Sequence, residues 1–123
     1  MYGTEHRYAP RRIRILHVDD DRAFLDVTES FLTRELPSAE IATVQHPDAA
    51  IERLRAESFD CVISDYEMPD TDGLELLSQV RDCSDDLPFL LYTGKGSESI
   101  ASRAIYAGVT GFLQKGGPGR PGQ

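Results

Sequence analysis

The sequence predicts an α/β fold, in which a doubly wound, five-stranded parallel sheet carries helices on both faces. Short apolar or β-branched runs alternate with longer stretches whose apolar residues recur every three or four positions, and this alternation is typical of strands joined by crossover helices. The chain has 123 residues, of which 40% are hydrophobic and 28% charged, so it can form a single ordered core. We therefore expect one sheet in one domain.

The first strand and helix are the clearest elements. Ile13–Val18 is an apolar run, and residues 21–36 follow with helical spacing until Pro37 ends the helix. Asp21, at the start of this helix, is the expected N-cap. The apolar residues assigned to the inner face of the helix are Phe24, Val27, Phe31 and Leu32.

The next two strands enclose a second helix. Residues 40–44 form a short strand that is more polar than the others, and Pro47 then suits the first position of a helix. Residues 61–64 form a compact apolar strand that leads directly into Asp65. The loop YEMPDTDG separates this strand from a third helix, for which either Thr71 or Asp72 is the expected cap.

The last part of the chain repeats the pattern once and then stops. Residues 88–92 are the fourth strand, with Thr93 at its end. Ser97 is expected to cap a helix with Ile100, Ala104 and Ile105 inward, which Gly108 ends. The fifth strand is Gly111–Gln114.

The segment GGPGRPGQ at 116–123 cannot be helical, because four glycines and two prolines occupy six of its eight positions. A doubly wound sheet would carry one more helix after the fifth strand, so we expect the final helix to be missing from this chain. The expected organisation is a flexible N-terminal segment at 1–12, a folded domain at 13–115 and a flexible Gly/Pro tail at 116–123.

Composition excludes several classes of function. The net charge is −8, with two lysines against eleven arginines, which argues against nucleic-acid binding by this domain. No apolar run is long enough to span a membrane and the start resembles no signal peptide, so we expect a cytoplasmic protein without membrane contact. The acidic bias suits a cytoplasm of high salt concentration. Cys61 and Cys83 are expected to be buried free thiols.

Reactive or charged side chains follow four of the five strands. They are Asp19 and Asp20, Asp65, Thr93, and Lys115. The carboxyl ends of parallel strands meet at one edge of a sheet, where ligands bind. Clustered carboxylates suit Mg²⁺, and a lysine and a hydroxyl suit a phosphate, so the set predicts a phosphoryl-transfer site with Asp65 as nucleophile.

The chain resembles the receiver domains of two-component response regulators. The matching motifs are VDDD, CVISDYEMPDTDGLEL, LLYTG and AGVTGFLQK, in the family's order and spacing from about Ile13 to Lys115. The resemblance implies a flavodoxin-like sheet with strand order 2-1-3-4-5. Its acidic, lysine-poor form is similar to haloarchaeal members.

The resemblance also implies roles for individual residues. Asp65 would accept a phosphoryl group from a histidine kinase or phosphotransfer protein, and would bind Mg²⁺ together with Asp20. The backbone carbonyl of Glu67 would be a further metal ligand, and Asp19 would act mainly through water. The domain would catalyse only its own phosphorylation and dephosphorylation, so it is not expected to be an enzyme in the ordinary sense.

Four further residues would form the switch and the phosphate contacts. Thr93 would bond a phosphoryl oxygen and Lys115 would pair with it, while Gly94 would leave room for the phosphodonor. Phe112 matches the aromatic residue that turns inward when Thr93 moves. The chain departs from the family at Gly116, where a proline usually follows the lysine, and this leaves the loop geometry less fixed.

The sequence leaves the output open. Signalling would run through an unknown protein or a lost effector domain, and apolar surface beside the first helix would favour a homodimer. Two alternative functions stay open. One is an interaction module that is no longer phosphorylated. The other is an aspartyl-phosphate phosphatase of the haloacid dehalogenase kind, for which Asp19 and Asp21 have the required spacing.

Overall fold

The computed structural model describes residues 12–94 and 98–114. Its five strands are β1 Ile13–Val18, β2 Ala39–Val44, β3 Cys61–Asp65, β4 Phe89–Thr93 and β5 Gly111–Gln114. Its four helices in those ranges are α1 Arg22–Glu35, α2 Pro47–Ala56, α3 Gly73–Cys83 and α4 Glu98–Tyr106. Each expected strand and helix is present, and no bound differs from expectation by more than two residues.

All neighbouring strands are parallel, in the order β2-β1-β3-β4-β5. The expected fold class and strand order are confirmed. The described residues end with β5, so the expected lack of a final helix and the expected tail at 116–123 stay predictions. The expected N-terminal segment at 1–12 also falls outside the described residues, except for Arg12, so the proposed domain boundaries stay predictions.

Local chemistry explains the helix ends. The side chain of Asp21 accepts a hydrogen bond from the backbone N–H of Phe24, which confirms it as the N-cap of α1. Asp72, not Thr71, caps α3, and it forms a reciprocal capping box with Glu75. Gly108 lies just beyond α4 with φ of +92°, a conformation that favours glycine. The expected cap Ser97 falls among the residues that the structure does not describe.

The core lies on both faces of the sheet. Leu16, Phe89 and Leu91 of the strands are fully buried, as are Leu76 and Leu77 of α3. One expectation about burial is wrong: Cys83 is exposed at the end of α3, whereas Cys61 is partly buried and burial raises the pKa of its thiol. Cys83 is the last residue of α3 and lies beyond Val80, the last buried position of the helix.

The inner face of α1 differs from the expected one. Leu25 is fully buried, whereas Val27 and Phe31 are 67% and 50% exposed. The inward face of α1 therefore includes Leu25, and it does not include Val27 and Phe31 as the sequence pattern indicated. Val27 and Phe31 do provide the apolar surface expected beside the first helix. On α4, Ile105 is likewise exposed instead of inward, because Ile100 and Ala104 are the residues that face the core.

Candidate functional site

Three carboxylates converge at the carboxyl edge of the sheet. Asp19, Asp20 and Asp65 each offer an oxygen, and these oxygens all lie within 4.8 Å of one another. The register explains this proximity, because Val18 of β1 is paired with Ser64 of β3, and Asp19 and Asp65 are the next residues along. Asp19 is fully buried and Asp65 is 4% exposed, whereas Asp20 is exposed.

Hydrogen bonds fix the Asp19 carboxylate from two directions. Its Oδ1 accepts from the backbone N–H of Asp21 at 2.8 Å, and its Oδ2 accepts from the hydroxyl of Tyr92 at 2.5 Å. The ring of Tyr92 is stacked on Phe24 of α1, and its hydroxyl lies 2.8 Å from Nε2 of His17. Burial, followed by the bond to Asp19, raises the pKa of Tyr92 well above its ordinary value.

Asp65 is the last residue of β3, and a shallow depression lies beside the end of this strand. Its Oδ1 accepts a hydrogen bond from the backbone N–H of Glu67 at 3.3 Å, so the loop after the strand orients the carboxylate. The Glu67 side chain is exposed. The depression is lined by Asp20, Tyr66, Glu67, Met68, Pro69 and Asp72.

Gly73 allows α3 to begin close to the end of β3. A Cβ atom at Gly73 would lie 2.4 Å from the backbone oxygen of Asp65 and 2.5 Å from Cδ1 of Leu91. Such distances are far below van der Waals contact, so only glycine fits without displacement of the backbone. The backbone N–H of Gly73 donates to the carbonyl of Tyr66 at 2.9 Å, which closes the intervening loop.

The remaining expected site residues lie on or after β4 and β5. Thr93 is fully buried at the end of β4 and is paired in register with Gln114 of β5. Gly94 is exposed, and a Cβ atom there would have no neighbour within 4 Å. Phe112 is partly buried against the core. Lys115, which follows Gln114 directly, falls outside the described residues.

The donor set fits a hard divalent cation. Carboxylate oxygens are ligands that Mg²⁺ prefers, and three of them lie within 4.8 Å of one another here. The positions of Asp19, Asp20 and Asp65 follow from the sequence motif, but the Tyr92 contact was missed. Tyr92 and His17 lie inside apolar strand runs, where the sequence pattern indicated only core packing.

A comparison with protein families decides the classification. The model of the response regulator receiver domain matches residues 15–119, which is most of the chain. The chain belongs to the response regulator receiver domain family. It is therefore a module of two-component signalling, and receiver domains generally bind Mg²⁺ at an acidic cluster of this kind.

Curated relatives and solved structures agree with this receiver-domain membership. The chain is 37% identical over 103 residues to the response regulator MprA of Mycolicibacterium vanbaalenii, covering 84% of this chain and 44% of the relative. It is 37% identical over 100 residues to the transcriptional regulatory protein FixJ of Bradyrhizobium diazoefficiens, covering 80% and 47%. A structure of the chemotaxis protein CheY4 of Vibrio cholerae has a TM-score of 0.81 at 26% identity, covering 88% of this chain and 90% of that one.

The length and the organisms of these relatives limit what can be transferred to this chain. The receiver chain spans less than half the length of MprA and FixJ, so the functions of the whole relatives do not transfer directly. Both relatives are bacterial and show no haloarchaeal origin. Within the described ranges, no helix is long and apolar enough to cross a membrane.

The structure also bears on the phosphatase alternative. That chemistry needs Asp19 and Asp21 to act as a pair, two residues apart. The Asp21 side chain instead caps α1, and Asp21 is exposed at the start of that helix. The residue that joins Asp19 at the carboxylate cluster is Asp65, which comes from a different strand.

Proposed function

We propose that this receiver is a phosphorylation-dependent switch that accepts a phosphoryl group on Asp65 from a histidine kinase or a phosphotransfer protein. The observation that supports it is the convergence of Asp65 with Asp19 and Asp20 at the carboxyl edge of the sheet. Asp65 is the natural acceptor because it ends a buried strand and its carboxylate lies beside that of Asp20, which lines a depression at the surface.

The transfer exchanges one bond to phosphorus for another. A carboxylate oxygen of Asp65 attacks the phosphorus of a phosphohistidine, an O–P bond forms and the N–P bond breaks. The electron pair of the broken bond stays on the imidazole nitrogen, which takes a proton from solvent. The backbone N–H of Glu67 keeps the attacking carboxylate oriented during this exchange. Loss of the phosphoryl group requires attack by water, beside which the exposed Glu67 side chain would lie.

The expected metal ligands are Asp20, Asp65 and the backbone carbonyl of Glu67, with Asp19 acting mainly through water. When bound, Mg²⁺ neutralises charge on the carboxylates and on the phosphoryl oxygens. Three acidic side chains lie together at this site. Their electrostatic repulsion is unfavourable, and a bound cation would reduce it.

Thr93, Gly94, Lys115 and Phe112 would convert phosphorylation into a change of shape. The Thr93 hydroxyl would bond a phosphoryl oxygen and the Lys115 ammonium would pair with the same group. Gly94 supports the entry of the donor, since the space beyond its Cα is open. The partly buried Phe112 would turn further inward as Thr93 moves.

The partners follow from this role. A kinase or phosphotransfer protein would dock at the carboxyl edge, and output would pass to an unknown protein or an attached effector domain. A cytoplasmic location fits such a partner, and the net charge of −8 fits a salt-rich cytoplasm and an absence of nucleic-acid binding by this domain. The exposed Val27 and Phe31 of α1 support a homodimer.

The decisive experiment is phosphorylation with labelled phosphoramidate in the presence of Mg²⁺. We expect one hydroxylamine-sensitive phosphate per chain, no label in Asp65→Asn, and normal label in the control Glu57→Gln at the opposite edge. Multiple turnover of a small phosphate ester would instead support the phosphatase alternative. No label in the folded wild-type protein, by phosphoramidate or by acetyl phosphate, would support the unphosphorylated interaction module.

A further inference from the structure

One polar network within the described residues has no role in the proposed transfer itself. It runs from His17 of β1 through the hydroxyl of Tyr92 of β4 to the Asp19 carboxylate. All three side chains are buried, with Tyr92 6% exposed and the other two fully buried. Buried polar groups of this kind orient one another strongly, because no water competes for their hydrogen bonds.

Counting hydrogens gives the direction of the bonds. Tyr92 has a single hydroxyl proton, and an ionised Asp19 can only accept, so the hydroxyl donates to Oδ2 of Asp19. The oxygen of Tyr92 must then accept from His17, which places a proton on Nε2 of the imidazole. The rings hold this arrangement, since Phe24 stacks on Tyr92 at 5.5 Å and contacts His17 edge-on at 6.0 Å.

The network restricts how Asp19 can meet a metal ion. Its Oδ2 is held by a side chain of β4, and its Oδ1 is held by the backbone of Asp21. Each oxygen keeps a second lone pair for a metal ion, but the two bonds fix the rotation of the carboxylate, and turning it to present both oxygens to one ion would break at least one of them. Ca²⁺ takes six to eight oxygens and often both oxygens of a carboxylate, whereas Mg²⁺ takes six ligands and keeps several waters.

We propose that Tyr92 is a positioning residue that holds Asp19 in water-mediated or single-oxygen coordination and thereby favours Mg²⁺ over Ca²⁺ at this site. The inference rests on the proposed metal site and adds a determinant of its selectivity. Tyr92 acts only through Asp19 and is not itself a ligand. His17 supports the hydroxyl by donating a hydrogen bond to its oxygen.

The test compares calorimetric dissociation constants for Mg²⁺ and Ca²⁺ in the wild type, Tyr92→Phe and Tyr106→Phe. Tyr92→Phe removes only the hydroxyl, and Tyr106 is a matched control because it is 96% exposed on α4. We expect the ratio of the Ca²⁺ constant to the Mg²⁺ constant to fall about tenfold in Tyr92→Phe, the size typical of outer-shell changes. The ratio should not change in Tyr106→Phe. An unchanged ratio in folded Tyr92→Phe would overturn the proposal.

A second measurement keeps the proposal testable if Tyr92→Phe does not fold. In the wild type, the hydroxyl proton of Tyr92 should give a downfield NMR signal that persists when Mg²⁺ is added, and its loss on Mg²⁺ binding would refute the positioning role. Different results would contradict the proposed function and the proposed role of Tyr92. A wild type that binds no Mg²⁺ contradicts both, whereas Mg²⁺ binding and Asp65 labelling with an unchanged metal ratio contradict only the role of Tyr92.

Discussion

The two ends of the sheet handle charge in opposite ways. At the amino edge, Arg14 of β1 contacts Glu57 at 2.7 Å and Glu40 at 3.1 Å, and its guanidinium lies 4.6 Å from the ring centre of Phe59. Arg53 also contacts Glu57, at 2.5 Å. At the carboxyl edge, Asp19, Asp20 and Asp65 lie together.

The two edges differ in the kind of group that lies beside their carboxylates. The cations beside Glu57 lower the pKa of its carboxyl to about 2, so the amino edge balances its own charges. At the carboxyl edge, neutral donors in the described part of the chain, two backbone N–H groups and a tyrosine hydroxyl, orient Asp19 and Asp65. Three carboxylates lie together there, and a bound cation would reduce their mutual repulsion.

The largest expected effect comes from removing one charge at the carboxyl edge. Asp20→Asn should weaken Mg²⁺ binding at least about tenfold, because it removes a proposed direct ligand. It should also raise the thermal midpoint in EDTA, since it relieves repulsion in the cluster. Titration calorimetry and thermal melts measure both changes. Glu57→Gln at the amino edge should leave Mg²⁺ affinity unchanged. An equal loss of Mg²⁺ affinity in Glu57→Gln would contradict the assignment of the metal site to the carboxyl edge.

The second-largest expected effect comes from Gly73, where the start of α3 lies close to the end of β3. Gly73→Ala should lower the free energy of unfolding by about 2 kcal/mol, because its Cβ would overlap the Asp65 carbonyl oxygen and Leu91. Gly94→Ala is the matched control, since its Cβ would meet no atom within 4 Å. Chemical denaturation of both variants checks this. Similar stabilities of the two variants would show that α3 can shift without cost.

The smallest effect tests the amino edge through pH. The folded-state pKa of Glu57 is about 2 against an ordinary value of 4.5, so its ion pairs stabilise the fold above pH 4.5. This contribution is lost as the pH falls from 4.5 toward 2. The Glu57 side chain is partly exposed, so the effect should be modest. The difference in thermal midpoint between wild type and Glu57→Gln should shrink over this range, and a constant difference would show that pairing with Arg14 and Arg53 adds no stability.

Much of the fold was predictable because its signals are local. Asp21 and Asp72 cap helices through bonds to residues three positions away, and Pro47 opens α2 at its first position. The inner face of α1 was placed wrongly at Val27 and Phe31, because apolar spacing alone cannot tell a buried position from a flanking one. The structure decides that question through the packing of Leu25.

In the candidate site, too, local features could be predicted and contacts between distant residues could not. The order of motifs along the sequence indicated which residues would gather, since parallel strands bring their carboxyl ends to one edge. The alternation of five strands with four helices and the acidic residues at the strand ends could be predicted, because their patterns are local in the sequence. The bond from Tyr92 to the carboxylate of Asp19, 73 residues away, depends on how the chain folds, as does the contact of Tyr92 with His17. Strand order and register create that contact, and no local pattern encodes a bond between side chains on different strands.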